Sequence, residues 1–187
     1  SGVNYDTWAV DDVQVIGVLP PPPGAPPFIM ASANSSTAVA VWWGVSQGAL
    51  NYQIQRRTPS TDWETIGTSG GASFFTDATA RPATAYAYRV LSGNNGGWSD
   101  PSQQAFVTTW SILQEWRFQN YGTIHDAGVA ADLADNGTGV SNLLRYAFNM
   151  TKDDRHKVVD PEAGTKGLPF VHLHGDRLQI AFIRKRD

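Results

Sequence analysis

The sequence predicts a mainly β protein, an antiparallel β-sandwich followed by a small α+β segment. Three observations carry this reading. Charged residues are only 17% of the 187 positions while hydrophobic ones reach 41%; an ordinary soluble domain carries roughly a quarter charged. Turn formers are plentiful, with 18 Gly and 11 Pro, beside many Val, Thr, Tyr and Trp that suit a pleated, half-buried surface. Short runs of alternating apolar and polar residues also recur at regular spacing through the middle of the chain.

The first segment is 1–17. In Trp8-Ala-Val10-Asp-Asp-Val13-Gln-Val15 the apolar residues read as one strand, bulged at Asp11 and Asp12. A lone strand leaves its backbone groups unpaired and is not a domain. Next, 18–27 runs Leu19-Pro20-Pro21-Pro22-Pro23-Gly24-Ala25-Pro26-Pro27. Consecutive prolines fix φ and favour extended polyproline II, so this stretch reads as a semi-rigid linker.

Segment 28–109 then gives about seven candidate strands, the pattern of an antiparallel sandwich. Thr37-Ala-Val39-Ala-Val41-Trp42-Trp43 places Val39, Val41 and Trp43 on one face. Asn51-Tyr52-Gln-Ile54-Gln-Arg56-Arg57 does the same with Tyr52 and Ile54. Shorter strands follow over Trp63–Ile66 and Ser73–Thr76, divided by a turn at Gly70-Gly71. Tyr86-Ala-Tyr88-Arg-Val90-Leu91, the turn Asn94-Asn95-Gly96-Gly97 and Ala105-Phe106-Val107-Thr108 complete the set.

In segment 110–187, Ser111-Ile-Leu-Gln114 has capping-box spacing. Ile112, Leu113, Trp116 and Asn120 continue at helical spacing, and Gly122 is placed to end that helix. A second short helix is expected over about Ser141–Phe148, with Leu143, Leu144, Ala147 and Phe148 as its buried stripe. Phe170–His174 and Arg177–Ile183 read as two strands joined by Gly175-Asp176, a hairpin signal.

Several function classes are excluded. A net charge of −3 is no basic surface for phosphates, so nucleic acid is not an expected partner. No apolar run approaches the roughly 20 residues needed to cross a bilayer, so membrane insertion is not expected. The opening Ser1–Trp8 lacks the basic start and apolar stretch of a signal peptide. With no cysteine there are no disulfides, thiolate metal sites or thiol nucleophiles, and the compartment stays open on that count.

The residues of 28–109 resemble the fibronectin type III family. The likeness lies in the proline-rich lead-in, Val41-Trp42-Trp43, Tyr52-Gln-Ile54-Gln-Arg56, Trp63-Glu-Thr-Ile66, Thr84-Ala-Tyr86-Ala-Tyr88-Arg-Val90 and Gly97-Trp98-Ser99-Asp-Pro101-Ser102. The resemblance implies a core tryptophan, which alternation assigns to Trp43, and a tyrosine corner at Tyr86; Tyr52 and Tyr88 join the structural core. Ala80 departs from the family, which usually has leucine there. The string in 1–17 is similar to the closing strand of MAM- or lectin-like jelly rolls, which implies that the rest of such a domain lies upstream. Segment 110–187 resembles the start of a C-terminal module of large secreted proteins of Verrucomicrobia and related bacteria. It carries Trp116-Arg117, Ala130-Ala131-Asp132 and Gly139-Val-Ser-Asn142-Leu143-Leu144-Arg145-Tyr146-Ala147. In such modules strands continue further, so the end at Arg184–Asp187 reads as a truncation.

The sharpest site candidate is the loop Asp132-Leu-Ala-Asp135-Asn136-Gly137-Thr138-Gly139. Related loops bind Ca²⁺ through six to eight oxygens. With Gly139 as the turn glycine, the ligand positions hold Ala134, Asn136 and Thr138, and the closing position holds Arg145. Asp132 and Asp135 become available in a shorter loop, so the site reads as a degenerate calcium loop and calcium as its only candidate cofactor. Asp11 and Asp12 read as solvated. His172 and His174 share a strand face but lack a third ligand. His125-Asp126 and Asp153-Asp154-Arg155-His156 come with no nucleophile, and no catalytic motif is present, so no enzyme is expected. Trp42 and Trp98 are the candidate exposed aromatics for a sugar platform, whereas Trp43, Trp63 and Trp116 read as packing. Asn34, Asn136 and Asn149 stand in N-glycosylation patterns, without consequence in a bacterial protein.

These readings converge on a non-catalytic spacer or interaction module of a larger secreted or cell-surface bacterial protein, whose partners are the other domains of its parent chain. Two alternatives stand beside it. One is a subunit of an extracellular filament or surface layer, self-associating by β-strand addition through 1–17. The other is an accessory module binding polysaccharide through Trp42 and Trp98.

Overall fold

The structure is a computed structural model, and it describes residues 17–125, 140–154, 169–174 and 177–181. The expected strand over 8–15, the loop 132–139 and the C-terminal residues 182–187 lie outside the described residues.

Two antiparallel sheets face one another. The smaller orders β1 (Ile29–Ala33), β2 (Val39–Trp43) and β5 (Phe74–Asp77) as β1-β2-β5. The larger orders β4 (Glu64–Ser69), β3 (Asn51–Arg57) and β6 (Ala85–Asn94), then β7 (Gly97–Trp98) and β8 (Ala105–Thr108) along the far side of β6. β7 pairs with the end of β6, at Gly93 and Asn94, and β8 with its start, from Ala85 to Tyr88. The interrupted strand β7–β8 thus does the work of one, giving three strands opposite four. This is the mainly β, fibronectin type III-like sandwich.

Its core follows from strand alternation. Val39, Val41 and Trp43 point inward from the smaller sheet to meet Tyr52, Ile54, Tyr86, Tyr88 and Val90 from the larger. Side chains of this size stabilise by about 1.5–3 kcal/mol each when fully buried. Trp43 packs tilted on Tyr52, with ring centroids 5.4 Å apart. Ala80 joins this cluster. The Tyr86 hydroxyl accepts the Arg81 backbone N–H at 2.9 Å, closing a tyrosine corner at the β5–β6 connection. β1 has no counterpart in the sequence expectation, and β4 begins after Trp63 rather than at it. The β3–β4 register shifts at Ile54/Gln55. A side chain on Gly67, which pairs with Ile54, would collide with the Phe75 ring.

Helix α1 (Ile112–Tyr121) follows directly. Ser111 and Gln114 form the expected capping box, and Gly122 ends the helix in the left-handed region at φ 71°. The Glu115 carboxylate accepts the Ser36 N–H at 2.7 Å and ties the helix to the β1–β2 turn. Helix α2 (Asn142–Ala147) is capped by Ser141. Its expected buried stripe is corrected: Leu143 and Leu144 are 50% and 44% exposed, Ala147 is exposed and Phe148 half-buried, whereas Asn142 and Arg145 are wholly buried. Carbonyl oxygens surround the Arg145 guanidinium and the Tyr121 hydroxyl reaches Asn142, so the helix turns these two polar side chains inward. Strands β9 (Phe170–His174) and β10 (Arg177–Ala181) form the expected antiparallel hairpin.

Candidate functional site

The feature that sets this sandwich apart is how its proline-rich lead is held. The stretch from Pro20 lies against the β6–β7 turn, as a strap. The Asn94 side-chain amide donates to the Pro21 carbonyl at 2.9 Å, and the Ser92 hydroxyl donates to the Gly24 carbonyl at 2.6 Å. Prolines lack an N–H, so their carbonyls are the only backbone groups available for anchoring. Pro23 and Pro26 are buried. Gly96 is required beneath the strap, since a Cβ there would collide with the Pro20 carbonyl. Asn94 also accepts the Gly96 N–H at 2.7 Å through its side-chain oxygen, which orients its amide toward the strap. Strap and β2–β3 loop together border a groove of about 620 Å³, lined by Pro20–Pro23, Val45, Ser46 and Asn94.

A second polar cluster pins the two sheets together at the opposite end of β2 and β6. Asp77 on β5 takes Arg56 of β3 at 2.6 Å and the Tyr88 hydroxyl of β6 at 2.7 Å on one oxygen. Its other oxygen accepts the Thr79 N–H at 2.9 Å and hydroxyl at 2.7 Å. Arg56 reaches Glu64 as well, at 2.7 Å, and lies over the Tyr86 ring. Burial pushes the Asp77 carboxyl up, but the bonds from Tyr88, Thr79 and Arg56 outweigh it and hold the group below the ordinary carboxylate value. Burial likewise opposes the Arg56 charge, and its bonds to Glu64 and Asp77 more than offset that, raising it above the usual guanidinium value. Burial, then the bond to Asp77, raises the Tyr88 hydroxyl. Both Asp77 oxygens and the Tyr88 hydroxyl have partners inside the protein, so the buried part of the cluster is structural.

The sequence-derived site residues fall as follows. Trp43, Tyr52, Tyr86 and Tyr88 are buried. Trp42 and Trp98 are 38% and 45% exposed. They belong to different sheets: Trp42 packs on Phe74 of β5, while Trp98 lies over Gly93 at the β6–β7 turn. Asp132, Asp135, Asn136 and Thr138 lie outside the described residues, as do Asp11, Asp12, Asp126, Arg155 and His156. At the end of that loop the Arg145 guanidinium is wholly buried and donates to the carbonyls of Thr151 at 3.0 Å, Lys152 at 3.1 Å and Asp154 at 2.5 Å. The Asp154 carboxylate accepts the Thr151 N–H at 2.8 Å, closing the same turn. His172 and His174 stand on β9 opposite Gln179 and Arg177. His125 is exposed. Among the described residues no group of three or more His, Cys, Asp or Glu side chains is placed to hold a metal, and no helix is long and apolar enough to cross a membrane.

Sequence reasoning found the turn at Asn94–Gly97 but not its role. The signal that points to the strap anchors is the pairing of a proline run with a downstream Ser-Gly-Asn-Asn-Gly string, and only the fold brings the two together.

No protein-family model and no curated protein matches this chain. Among solved structures it is similar to a fragment of titin spanning several domains, at 23% identity and a TM-score of 0.44, over 48% of this chain and 32% of that one. It is also similar to an Fn3-like protein from Clostridium thermocellum, at 24% identity and a TM-score of 0.43, over 48% of this chain and 96% of that one. A third is the FN5 domain of Drosophila Lar, at 22% identity and a TM-score of 0.43, over 48% and 98% respectively. The chain spans about a third of the titin fragment's length. The likeness is one of fold.

Proposed function

We propose that this chain is a non-catalytic coupling module of a larger secreted or cell-surface bacterial protein, in which the sandwich holds its neighbouring domains at a fixed distance and angle. The reading rests on the docked strap. A free proline-rich linker sets only a spacing, whereas one whose carbonyls are captured by Ser92 and Asn94 also sets a direction. Helix α1 does the same at the other end of the sandwich through Glu115 and Ser36. Both connections are tied to the body, which is what transmission of orientation needs.

Backbone relaxation of the ¹⁵N-labelled chain tests this. The Gly24 and Ala25 amides are expected to have order parameters like those of β2 and β6, near the rigid-backbone value of about 0.85. In a Ser92→Ala, Asn94→Ala variant they should fall toward flexible values. Flexible values in the unaltered chain would contradict the proposal.

A further inference from the structure

The outward face of the larger sheet carries an arrangement that the coupling role does not use. Arg57 and Arg89 both lie over the ring of Trp63, with guanidinium carbons 4.9 and 4.3 Å from its centroid. Arg89 is steadied by Gln55 at 2.7 Å and Arg57 by Gln104 at 3.3 Å, both neutral. Among the described residues neither guanidinium has a carboxylate within 4.0 Å, while Arg56, next in sequence on the inward face, has two. Two cations are therefore held together without a counter-charge in a chain whose net charge is −3. Burial, then the charge of Arg57, holds Arg89 below its ordinary value, the mark of an uncompensated pair.

Beside this pair runs an apolar trough. Pairing across the sheet sets Arg57, Ala87 and Phe106 in one row, so small Ala87 forms a floor between two large side chains. Ala85, Pro59 and Thr108 extend the trough to about 420 Å³. Phe106 is 72% exposed, on a strand whose neighbours Ala105 and Val107 face the core. An apolar ring left this bare, next to two unneutralised guanidiniums, marks a surface built for a partner.

We propose that this face binds an extended acidic peptide segment of a partner protein, with a carboxylate bridging Arg57 and Arg89 and a neighbouring apolar side chain lying over Ala87 against Phe106. A planar guanidinium pairs with a carboxylate through two parallel hydrogen bonds. The floor and far wall of the trough, Ala85, Ala87, Pro59 and Phe106, are apolar and suit an apolar side chain, and the Trp63 ring already carries both guanidiniums, so an acidic polysaccharide fits less well. This binding role is additional to coupling and does not depend on the strap.

The test titrates the full ¹⁵N-labelled chain with a blocked synthetic peptide alternating Asp with Leu and Phe. Saturable shifts are expected at Arg57, Ala87, Arg89 and Phe106 and at the Trp63 indole, weakening as salt is added. An Arg57→Gln, Arg89→Gln variant should bind roughly tenfold more weakly, as should the peptide with Asn in place of Asp. Phe106→Ser, at an exposed site that leaves the core alone, gives the independent second variant should the arginine changes impair folding. Asn94→Ala, which loosens only the strap, should bind normally. No shifts, shifts elsewhere, or equal binding of the Asn peptide would overturn the proposal. So would an oligogalacturonate that shifts the same residues while the peptide does not.

Discussion

Arg56 is a half-buried cation and Arg145 a wholly buried one, and the two regions of the chain hold them differently. Arg56 sits between two sheets and is answered by side chains: Asp77, Glu64 and Thr79. Arg145 sits under a short helix and donates to backbone carbonyls of the turn 151–154. In the sandwich the charge network is an addition to an apolar core that already defines the fold. In the segment around α2 the buried positions mix polar and apolar residues, with Asn142 and Arg145 wholly buried beside Met150, Val140 and Trp116. A fixed internal cation gathers carbonyl oxygens much as a bound metal would.

The largest expected effect comes from removing that cation. Arg145→Ala leaves the carbonyls of Val140, Thr151, Lys152 and Asp154 without this donor, a loss on the order of 3–5 kcal/mol. Hydrogen exchange at Met150 and Asp154 should accelerate sharply while amides of β2 and β6 stay protected. Uniform acceleration through the sandwich would mean that the two regions are not separable. The same contrast extends to metal: adding calcium or a chelator should leave the thermal midpoint unchanged, and a rise with calcium would show that the loop at 132–139 binds it.

Next is the sandwich network. Asp77→Ala should cost about 3 kcal/mol in urea unfolding, since it strands a buried partner of Arg56 and Tyr88. Its pH signature has a definite sign. Because Asp77 is depressed in the folded state, its stabilisation is present above the unfolded value of about 3.9 and is lost as pH falls through the lower folded value. Because Tyr88 is raised, its contribution is present below about 10 and is lost as pH climbs beyond that. Asp77→Asn should flatten the acid limb of stability against pH, and Tyr88→Phe the alkaline limb. Because the two groups share a hydrogen bond, each substitution should also soften the other's limb, to a smaller extent.

Smaller effects sharpen the comparison further. Ser111→Ala removes one half of the capping box and should cost about 1 kcal/mol, read from Trp116 fluorescence in denaturant. Leu143→Ala and Leu144→Ala should each change stability by no more than about 0.5 kcal/mol, as exposed positions do. A loss of several kcal/mol there would restore the apolar stripe that helical spacing suggests.

That last pair shows where a sequence stops being readable. In β2, β3 and β6 a two-residue period distributes Val, Ile, Tyr and Trp onto one face, and the opposite sheet supplies a matching apolar face, so pattern and burial agree. In α2, adjacent Leu143 and Leu144 look like a core stripe, but Asn142 and Arg145, three apart, share the buried side, where Asn142 accepts the Tyr121 hydroxyl and Arg145 donates to carbonyls. Hydrophobic pattern cannot report a buried guanidinium whose partners are carbonyl oxygens. β1 escaped for another reason: Ile29–Ala33 is half-buried, mixing Met30 and Ser32 outward, and carries no clear signal of its own. The capping box and the end of α1 at Gly122 were legible because each is a local motif with fixed spacing, and the tyrosine corner because the family resemblance implied it. The strap anchors and the Arg57–Trp63–Arg89 group were not, since their members lie far apart in the chain and meet only through register.

The central claim is that the lead into the sandwich is rigidly held, and a distance distribution across that junction tests it most directly. The chain has no cysteine, so Leu19→Cys and Gln103→Cys give two unique exposed positions for spin labels. Pulsed electron resonance should report one narrow distance that broadens when Ser92→Ala and Asn94→Ala are added. A broad distribution before those changes would show a free linker and contradict the account.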